Sequence, residues 1–117
     1  FIAGGKNDEA LTKKVMGSLE NCFSLNELNI EKIIPIIASC SFYIGNDTGF
    51  GHLSANLNSK CLMLFCDSPP SAYGVWSPNI KIIVPAGETI ESCKHDTLGK
   101  NKILFDEVLN EALNLFN

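Results

Sequence analysis

Five short apolar runs recur along the chain, and their spacing constrains the fold more than any other feature of the sequence. The runs lie at residues 1–3, 22–23, 42–44, 61–66 and 80–84. Their starts are about twenty residues apart, a length that accommodates one strand, one crossover helix and two loops. The runs are continuous rather than alternating, as is typical of parallel strands covered on both faces. We therefore predict a five-strand parallel sheet.

Between these runs lie segments whose apolar residues repeat with helical periodicity. They predict helices over residues 8–19, 30–39, 49–57 and 103–116, with Asn29 as the N-cap of the second helix. Pro35 lies inside that second segment, so the helix is either kinked there or regular only from Pro35 onward. Residues 67–79 hold three of the five prolines and predict a long loop with at most a short helical turn. The predicted fold class is α/β, a Rossmann-like parallel sheet flanked by helices.

The composition excludes several functions. The 117 residues include nine lysines and no arginine, and the formal net charge is −4. A nucleic-acid-binding chain needs an excess of positive charge to displace counterions from phosphates, so we expect no nucleic-acid partner. No apolar run reaches the roughly 18 residues of a membrane-spanning helix, so no transmembrane segment is expected. The length suits a single domain.

Five cysteines are present, and none forms a CxxC pair. Cys40, Cys61 and Cys66 lie in apolar runs, where buried thiols behave as small hydrophobic groups. This pattern favours free thiols in a reducing cytoplasm over a disulfide scaffold. Only His52 and His95 could join the cysteines as metal ligands, and no ligand spacing is regular. We therefore expect no bound metal.

The most informative segment is the glycine-containing turn Asn46-Asp47-Thr48-Gly49-Phe50-Gly51-His52, where the third predicted strand gives way to a helix. Open parallel sheets bind ligands at the carboxyl ends of their strands. The free N–H groups at the start of such a helix, with the helix dipole, form an anion site that suits a diphosphate. Asp47 could accept hydrogen bonds from sugar hydroxyls, and His52 lies one helical turn beyond Thr48. The competing interpretation is that Asp47 or Thr48 caps the helix and His52 is structural.

Two further strand ends carry polar residues. In Gly4-Gly5-Lys6-Asn7-Asp8-Glu9, the turn after the first run could place Lys6 or Glu9 against a phosphate or a ribose, and the alternative is a simple turn. In residues 65–70, the polar loop that contains Asp67 could form one wall of a pocket, and the alternative is a rigid connection.

Motifs of several self-sufficient active sites are missing from the sequence. It contains no GxxxxGK[ST] run of a P-loop nucleotidase and no GxSxG nucleophile elbow. No segment combines a nucleophile and its base at convincing spacing. We therefore predict no catalytic residue in this chain and interpret it as a binding half of a larger site.

The turn at the third strand also carries a family resemblance. Residues 46–57, Asn-Asp-Thr-Gly-Phe-Gly-His-Leu-Ser-Ala-Asn-Leu, closely resemble the (N/V)D(S/T)GxxHLAAAL signature of the family 9 glycosyltransferases. These enzymes are the heptosyltransferases of lipopolysaccharide core assembly and their relatives. Residues 30–41 are similar to the helix before this motif in the family, residues 61–70 to its next strand and loop, and residues 93–116 to its closing helix.

The resemblance implies a two-domain GT-B enzyme in which residues 1–117 form the C-terminal half of the fold, the donor-binding domain. The N-terminal acceptor domain, with the catalytic carboxylate base and a lysine that neutralises donor phosphates, would precede Phe1. The chain opens without a methionine inside a predicted strand, which we interpret as a cut into a longer protein. In relatives the donor is a nucleotide-diphosphate sugar, commonly ADP-heptose, and neither a cofactor nor a metal takes part.

For the site, the resemblance implies that Asp47, Thr48, Gly49 and His52 contact the diphosphate and sugar of the donor. Transfer would invert the sugar's configuration and deliver it to a lipopolysaccharide-type, other glycan or lipid-linked acceptor bound by the other domain. This chain alone would be inactive. We expect a cytoplasmic protein, peripheral at the inner membrane face. The full set of predicted donor-binding residues is Gly5, Glu9, Asn46, Asp47, Thr48, Gly49, Phe50, Gly51, His52 and Asp67.

The sequence departs from the family pattern at three positions. Gly51 stands where Met, Leu or Ser is usual, Asn56 replaces an alanine, and Cys66 replaces a glycine. Residues 73–78 resemble a less characterised branch of the family, which leaves the donor nucleotide and sugar open. Two other functions also stay open: a non-catalytic nucleotide-binding module, and another GT-B member such as a sugar-nucleotide epimerase.

Overall fold

The computed structural model describes residues 1–117 and divides them into two compact units, unit 1 (Phe1–Ile36) and unit 2 (Ile37–Asn117). A 3-10 turn at Lys6–Asp8 precedes helix α1 (Glu9–Met16), and helix α2 spans Ile30–Ala38. The remaining elements are β1 (Phe42–Asn46), α3 (Gly49–Asn56), β2 (Lys60–Leu64), α4 (Pro70–Tyr73), β3 (Ile80–Ile83), a 3-10 turn (Lys100–Lys102) and α5 (Phe105–Phe116). None of the helices has the length and apolar character needed to cross a membrane.

The helices of unit 1 follow from local sequence signals. Helix α1 ends earlier than predicted because Gly17 adopts a φ of 50°, in the left-handed region that favours glycine, and its N–H donates to Lys13 O at 3.0 Å. The Asn29 side chain accepts the N–H of Lys32 at 3.1 Å, which confirms Asn29 as the N-cap of α2. Helix α2 continues through Pro35 instead of starting there.

The prediction of five strands is wrong, because the first two apolar runs meet in a single parallel bridge between Ile2 and Ser24. The two hydrogen bonds of this bridge are each 2.8 Å long. The ladder does not continue past this bridge, because Gly4 makes its hydrogen bond to a side chain. The N–H of Gly4 is engaged by the Asn26 side-chain oxygen at 2.8 Å instead of by a neighbouring strand. The α/β class is confirmed, with three parallel strands in the sheet.

The three strands of unit 2 lie in the order β1-β2-β3, all parallel, so β2 is the central strand. Its residues alternate between two buried clusters, which explains why the run is apolar throughout. One cluster comprises Ala55, Cys61, Met63, Phe65, Ile80 and Cys93. The other comprises Leu62, Ile83 and Ala112, with Leu64, Ile103, Val108 and Leu115 packed against it. Helix α3 therefore covers one face of the sheet and α5 covers the other.

The register of β1 on β2 brings two loops to the same edge of the sheet. Asn46 is paired with Leu64 at the last position of both strands, and the N–H of Asp47 donates to Leu64 O at 3.1 Å. The chain after β1 therefore starts beside the chain after β2. Because the carboxyl ends of parallel strands meet at one edge, polar residues that follow each strand come together there.

The close packing of α3 on the sheet is tested by a matched pair of glycines. A Cβ on Gly51 would lie 2.9 Å from Met63 Cε and from Tyr43 Cε1, whereas a Cβ on Gly49 meets no atom within 4 Å. We expect Gly51→Ala to lower the free energy of unfolding by about 1–3 kcal/mol through overpacking. We expect Gly49→Ala to leave it unchanged or raise it by about 1 kcal/mol at most. Denaturant unfolding measures both values, and equal effects would contradict the packing.

Candidate functional site

The turn between β1 and α3 leaves the first N–H groups of the helix without intramolecular acceptors. Thr48, the N-cap residue, is extended (φ −143°, ψ 167°), and no side chain caps the helix. The first backbone hydrogen bond of α3 runs from His52 N–H to Thr48 O at 3.2 Å, so the N–H groups of Thr48, Gly49 and Phe50 stay unpaired. Thr48 therefore occupies the N-cap position, but neither its side chain nor that of Asp47 caps α3.

The Thr48 side chain contacts Tyr43 instead of the helix. Tyr43 Oη–H donates to Asn46 O at 3.0 Å, and Tyr43 Oη lies 3.1 Å from Thr48 Oγ1. Burial raises the pKa of Tyr43, so the phenol keeps the proton that it donates. Because that proton is used on Asn46, the Thr48 hydroxyl is the donor to Tyr43. Its oxygen keeps lone pairs that can accept further hydrogen bonds.

Asp47 lies at the centre of a hydrogen-bond cluster within unit 2. Its Oδ1 lies 2.8 Å from His52 Nε2, and its Oδ2 accepts the hydroxyl of Ser68 at 2.6 Å. The Asp47 side chain is 12% exposed and that of His52 is 32% exposed. A carboxylate removed from water needs hydrogen-bond donors to offset its lost hydration. His52 and Ser68 supply them and fix the orientation of the carboxylate.

Both ring nitrogens of His52 have partners. Trp76 Nε1–H donates to Nδ1 at 3.3 Å, and the centroids of the two rings lie 6.0 Å apart with a 31° angle between the ring planes. A donor at Nδ1 and a carboxylate at Nε2 together define the Nε2–H tautomer of the imidazole. His52 therefore donates to Asp47, and neither of its ring nitrogens is left for a ligand in this arrangement.

A cavity of about 690 Å³ opens beside Asp47, at the carboxyl ends of β1 and β2. Its charged side chains are two carboxylates and one ammonium, those of Asp47, Asp67 and Lys100. The other polar lining residues are Asn46, Cys66 and Ser68, and the apolar ones are Leu64, Ile103, Phe105 and Val108. Carboxylate, amide and hydroxyl groups beside an apolar wall can bind a polyhydroxylated ring.

The segment that carries Lys100 is fastened to the loop after β2. The N–H of Leu98 donates to Asp67 Oδ1 at 3.1 Å, and the N–H of Gly99 donates to Cys66 O at 2.8 Å. A Cβ on Gly99 would lie 2.1 Å from the side chain of Pro85, so this close approach requires glycine. These contacts bring Lys100, from a distant part of the sequence, to the wall of the cavity.

The thiols near the site stay protonated at neutral pH. Burial raises the pKa of Cys66, which lines the cavity, and raises the pKa of Cys61 to about 11. The nucleophilic form of cysteine is the thiolate, so neither residue is suited to attack a substrate. The chemistry that this site offers is hydrogen bonding and charge complementarity.

Most of the predicted site residues come together at this edge of the sheet in unit 2. Asn46, Asp47 and Asp67 line the cavity, and Thr48, Gly49 and Phe50 form the N-terminus of α3 next to it. Gly51 is buried against Tyr43 and Met63, so close packing explains its lack of a side chain. His52 lies behind Asp47 as its hydrogen-bond partner.

Gly5 and Glu9 lie in unit 1, where local contacts engage them. The N–H of Gly5 donates to Asp8 Oδ2 at 2.7 Å, and Glu9 pairs with Lys13 across one turn of α1 at 2.6 Å. The hydrogen bond and charge of Lys13 lower the pKa of Glu9. These are the contacts of a simple turn and of a helix-surface ion pair. A role for Gly5 and Glu9 in ligand binding stays a prediction.

Sequence reasoning missed the polar residues Ser68, Trp76 and Lys100, and it missed the apolar wall of the cavity, which includes Phe105. Ser68 lies one residue beyond the predicted Asp67, in a loop that the sequence did mark as a pocket wall. Trp76 is the single tryptophan of the chain, which could have marked it as a candidate site residue. Its partner His52 lies 24 residues away, so the sequence did not indicate the contact. Lys100 and Phe105 carried no local signal, because only the fold brings them to the cavity.

Unit 2 thus has an α/β architecture with a cavity at the carboxyl edge of its parallel sheet, the edge at which such sheets bind ligands. A family model described as glycosyltransferase family 9 (heptosyltransferase) matches residues 1–102. The chain therefore belongs to glycosyltransferase family 9.

Two curated relatives carry the same name, lipopolysaccharide heptosyltransferase 1. The Campylobacter coli protein is 31% identical over 78 residues, which cover 67% of this chain and 22% of that protein. The Salmonella typhimurium protein is 25% identical over 76 residues, which cover 65% of this chain and 24% of that protein. The chain thus matches less than a quarter of the length of these relatives. No solved structure matches the chain.

The anchor between Asp67 and Leu98 can be tested through a single amide proton. Asp67→Ala removes the acceptor of the Leu98 N–H, whereas Asp67→Asn keeps a side-chain oxygen in its place. We expect hydrogen exchange of the Leu98 amide to accelerate by about threefold to tenfold in Asp67→Ala, the effect of losing one hydrogen bond. Asp67→Asn should stay close to the parent rate. An unchanged rate in Asp67→Ala would contradict the anchor.

Proposed function

We propose that this chain is the donor-binding domain of an inverting glycosyltransferase that uses a nucleotide-diphosphate sugar. A base in another domain would deprotonate the acceptor, a lipopolysaccharide-type or other glycan. The observation that carries the proposal is the row of unpaired N–H groups at the start of α3, beside a cavity lined by carboxylates. Membership of glycosyltransferase family 9 supports the reaction class. The names of the two relatives favour heptose as the transferred sugar. ADP-heptose is the donor that the resemblance of residues 46–57 to the family signature implies.

In this proposal the diphosphate binds at the N-terminus of α3. The N–H groups of Thr48, Gly49 and Phe50 are unpaired, and they point from the positive end of the helix dipole. Space next to Gly49 is open, since a Cβ there would meet no atom within 4 Å. The Thr48 hydroxyl adds a polar group at the same place. Phosphate oxygens can therefore approach the backbone closely and receive several charge-assisted hydrogen bonds.

The cavity would take the hydroxylated part of the donor. Asp47 has both oxygens engaged, by His52 and Ser68, but each oxygen keeps a further lone pair for a sugar hydroxyl. Asp67 lies on the same wall and Lys100 supplies the one positive side chain. A lysine here would balance part of the diphosphate charge, which an arginine-free chain cannot do with a guanidinium group.

This arrangement would assist the departure of the nucleoside diphosphate. Negative charge grows on the leaving group as the bond to the sugar breaks. The N–H groups at the start of α3, with the ammonium of Lys100 on the cavity wall, would stabilise that charge without reorganising. The acceptor hydroxyl would lose its proton to a base outside this chain, because the carboxylate of Asp47 is held by two donors and serves binding.

Calorimetric titration of the chain with ADP and AMP tests the diphosphate site. We expect ADP to bind about tenfold or more tightly than AMP, because its second phosphate adds charge-assisted hydrogen bonds. Gly49→Ala should weaken ADP binding by about tenfold, since its methyl group fills the open space beside the free N–H groups. The free energy of unfolding of Gly49→Ala should not fall, because the added methyl group meets no atom within 4 Å.

Asn114→Ala is the matched control for this titration. Asn114 is exposed on α5 and does not line the cavity, so its replacement should leave ADP affinity unchanged. Equal affinities for ADP and AMP, or an unaffected Gly49→Ala variant, would contradict a diphosphate site at α3.

A further inference from the structure

Trp76 is an exposed aromatic residue on a segment that is tightly fixed on both sides. Trp76 is 46% exposed, whereas Gly74 before it and Ser77 after it are buried. A Cβ on Gly74 would lie 2.9 Å from the Phe65 ring, and the N–H of Ile80 donates to Ser77 O at 3.2 Å. The backbone is thus anchored to the core while the indole stays at the surface. Its one polar group, Nε1–H, is directed at His52.

A continuous hydrogen-bond path leads from Trp76 to the site. Trp76 Nε1–H donates to His52 Nδ1 at 3.3 Å, and His52 Nε2 lies 2.8 Å from Asp47 Oδ1. With Nδ1 occupied by the indole, the ring presents Nε2–H to the carboxylate and cannot turn without losing both contacts. Ser68 holds the other oxygen of Asp47 at 2.6 Å. The carboxylate is therefore fixed from two directions.

The position of Asp47 has a consequence for the N-terminus of α3. Asp47 immediately precedes the N-cap residue Thr48, and the positive end of the helix dipole attracts a carboxylate near it. Here the N–H groups of α3 have no side-chain cap, since both Asp47 oxygens are held elsewhere. If the carboxylate were released, it could bind the N–H groups itself and repel an incoming phosphate. The contacts from His52 and Ser68 thus keep the helix N-terminus open.

We propose that Trp76 is a positioning residue: acting through His52, it holds the Asp47 carboxylate away from the N–H groups of α3 and so keeps that site open for an anion. The role of the open site rests on the proposed function, whereas the Trp76–His52 contact does not. Trp76 itself need not touch the ligand.

The contact can be measured without any ligand. Because the chain has a single tryptophan, its ¹H–¹⁵N spectrum has a single indole signal. We expect His52→Ala to move this signal upfield and to accelerate its exchange with water by about threefold to tenfold, since the acceptor is lost. A signal that keeps its position and exchange rate in His52→Ala would overturn the proposal.

The function of the contact can be measured with ADP as the probe. Trp76→Phe keeps an aromatic ring but removes the N–H donor, and we expect it to weaken ADP binding by about threefold to tenfold. The same substitution in an Asp47→Ala background should have no further effect, because the competing carboxylate is then absent. A loss that persists without Asp47 would mean that Trp76 acts independently of it and would overturn the proposal.

Tyr73→Phe is the matched control. Tyr73 is a similarly exposed aromatic residue on the same segment, and its hydroxyl lies 3.5 Å from His95 Nε2, not from His52. Its replacement should leave ADP affinity unchanged, and an equal loss there would overturn the specific role of Trp76. If the parent chain binds no ADP at all, the proposed function fails, and the open anion site proposed for Trp76 fails with it. The indole signal then reports the Trp76–His52 contact alone.

Discussion

The candidate site depends on the hydrogen bonds that hold the Asp47 carboxylate between α3 and the loop after β2. The free N–H groups at the start of a helix attract a nearby carboxylate. In this chain His52 and Ser68 donate hydrogen bonds to the Asp47 carboxylate instead, and the N–H groups of α3 stay available. The cluster is compact because the first residue after β1 is bonded to the last residue of β2. One interaction therefore links the sheet register, the helix and the cavity wall.

The central strand makes this geometry rigid. β2 is buried on both faces, between the clusters covered by α3 and by α5. Its carboxyl end is therefore anchored in the core, and the polar residues that follow it start from that buried strand. Gly51 lets α3 approach the sheet closely enough for His52 to reach Asp47. The close packing at Gly51 and the hydrogen bond between His52 and Asp47 therefore depend on each other.

Local patterns in the sequence predicted the α/β class, four of the helices and the strands at β1, β2 and β3. The first two apolar runs failed as strands: they meet in one bridge, after which the Gly4 N–H is bound by the Asn26 side chain instead of by a strand. The strand-to-helix turn was found from its glycines and from its place after an apolar run. The engagement of both Asp47 oxygens was not found, because it depends on Ser68, 21 residues away, and on the rotamer of His52.

Lys100 and Trp76 mark the limit of sequence reasoning for this chain. Lys100 reaches the cavity through the contacts of Leu98 and Gly99 with the loop after β2, and no periodicity encodes such contacts. A role for Trp76 can be inferred only once the structure shows that its indole N–H donates to His52 Nδ1. Side chains that act across long sequence separations become visible once the sheet register is known.

Anion binding at the N-terminus of α3 can be read directly from the backbone amide signals of the chain during titration with ADP. We expect the amide protons of Thr48, Gly49 and Phe50 to show the largest downfield shifts, because phosphate oxygens become their acceptors. Saturating ADP that leaves these three signals in place, while others move, would contradict anion binding at α3.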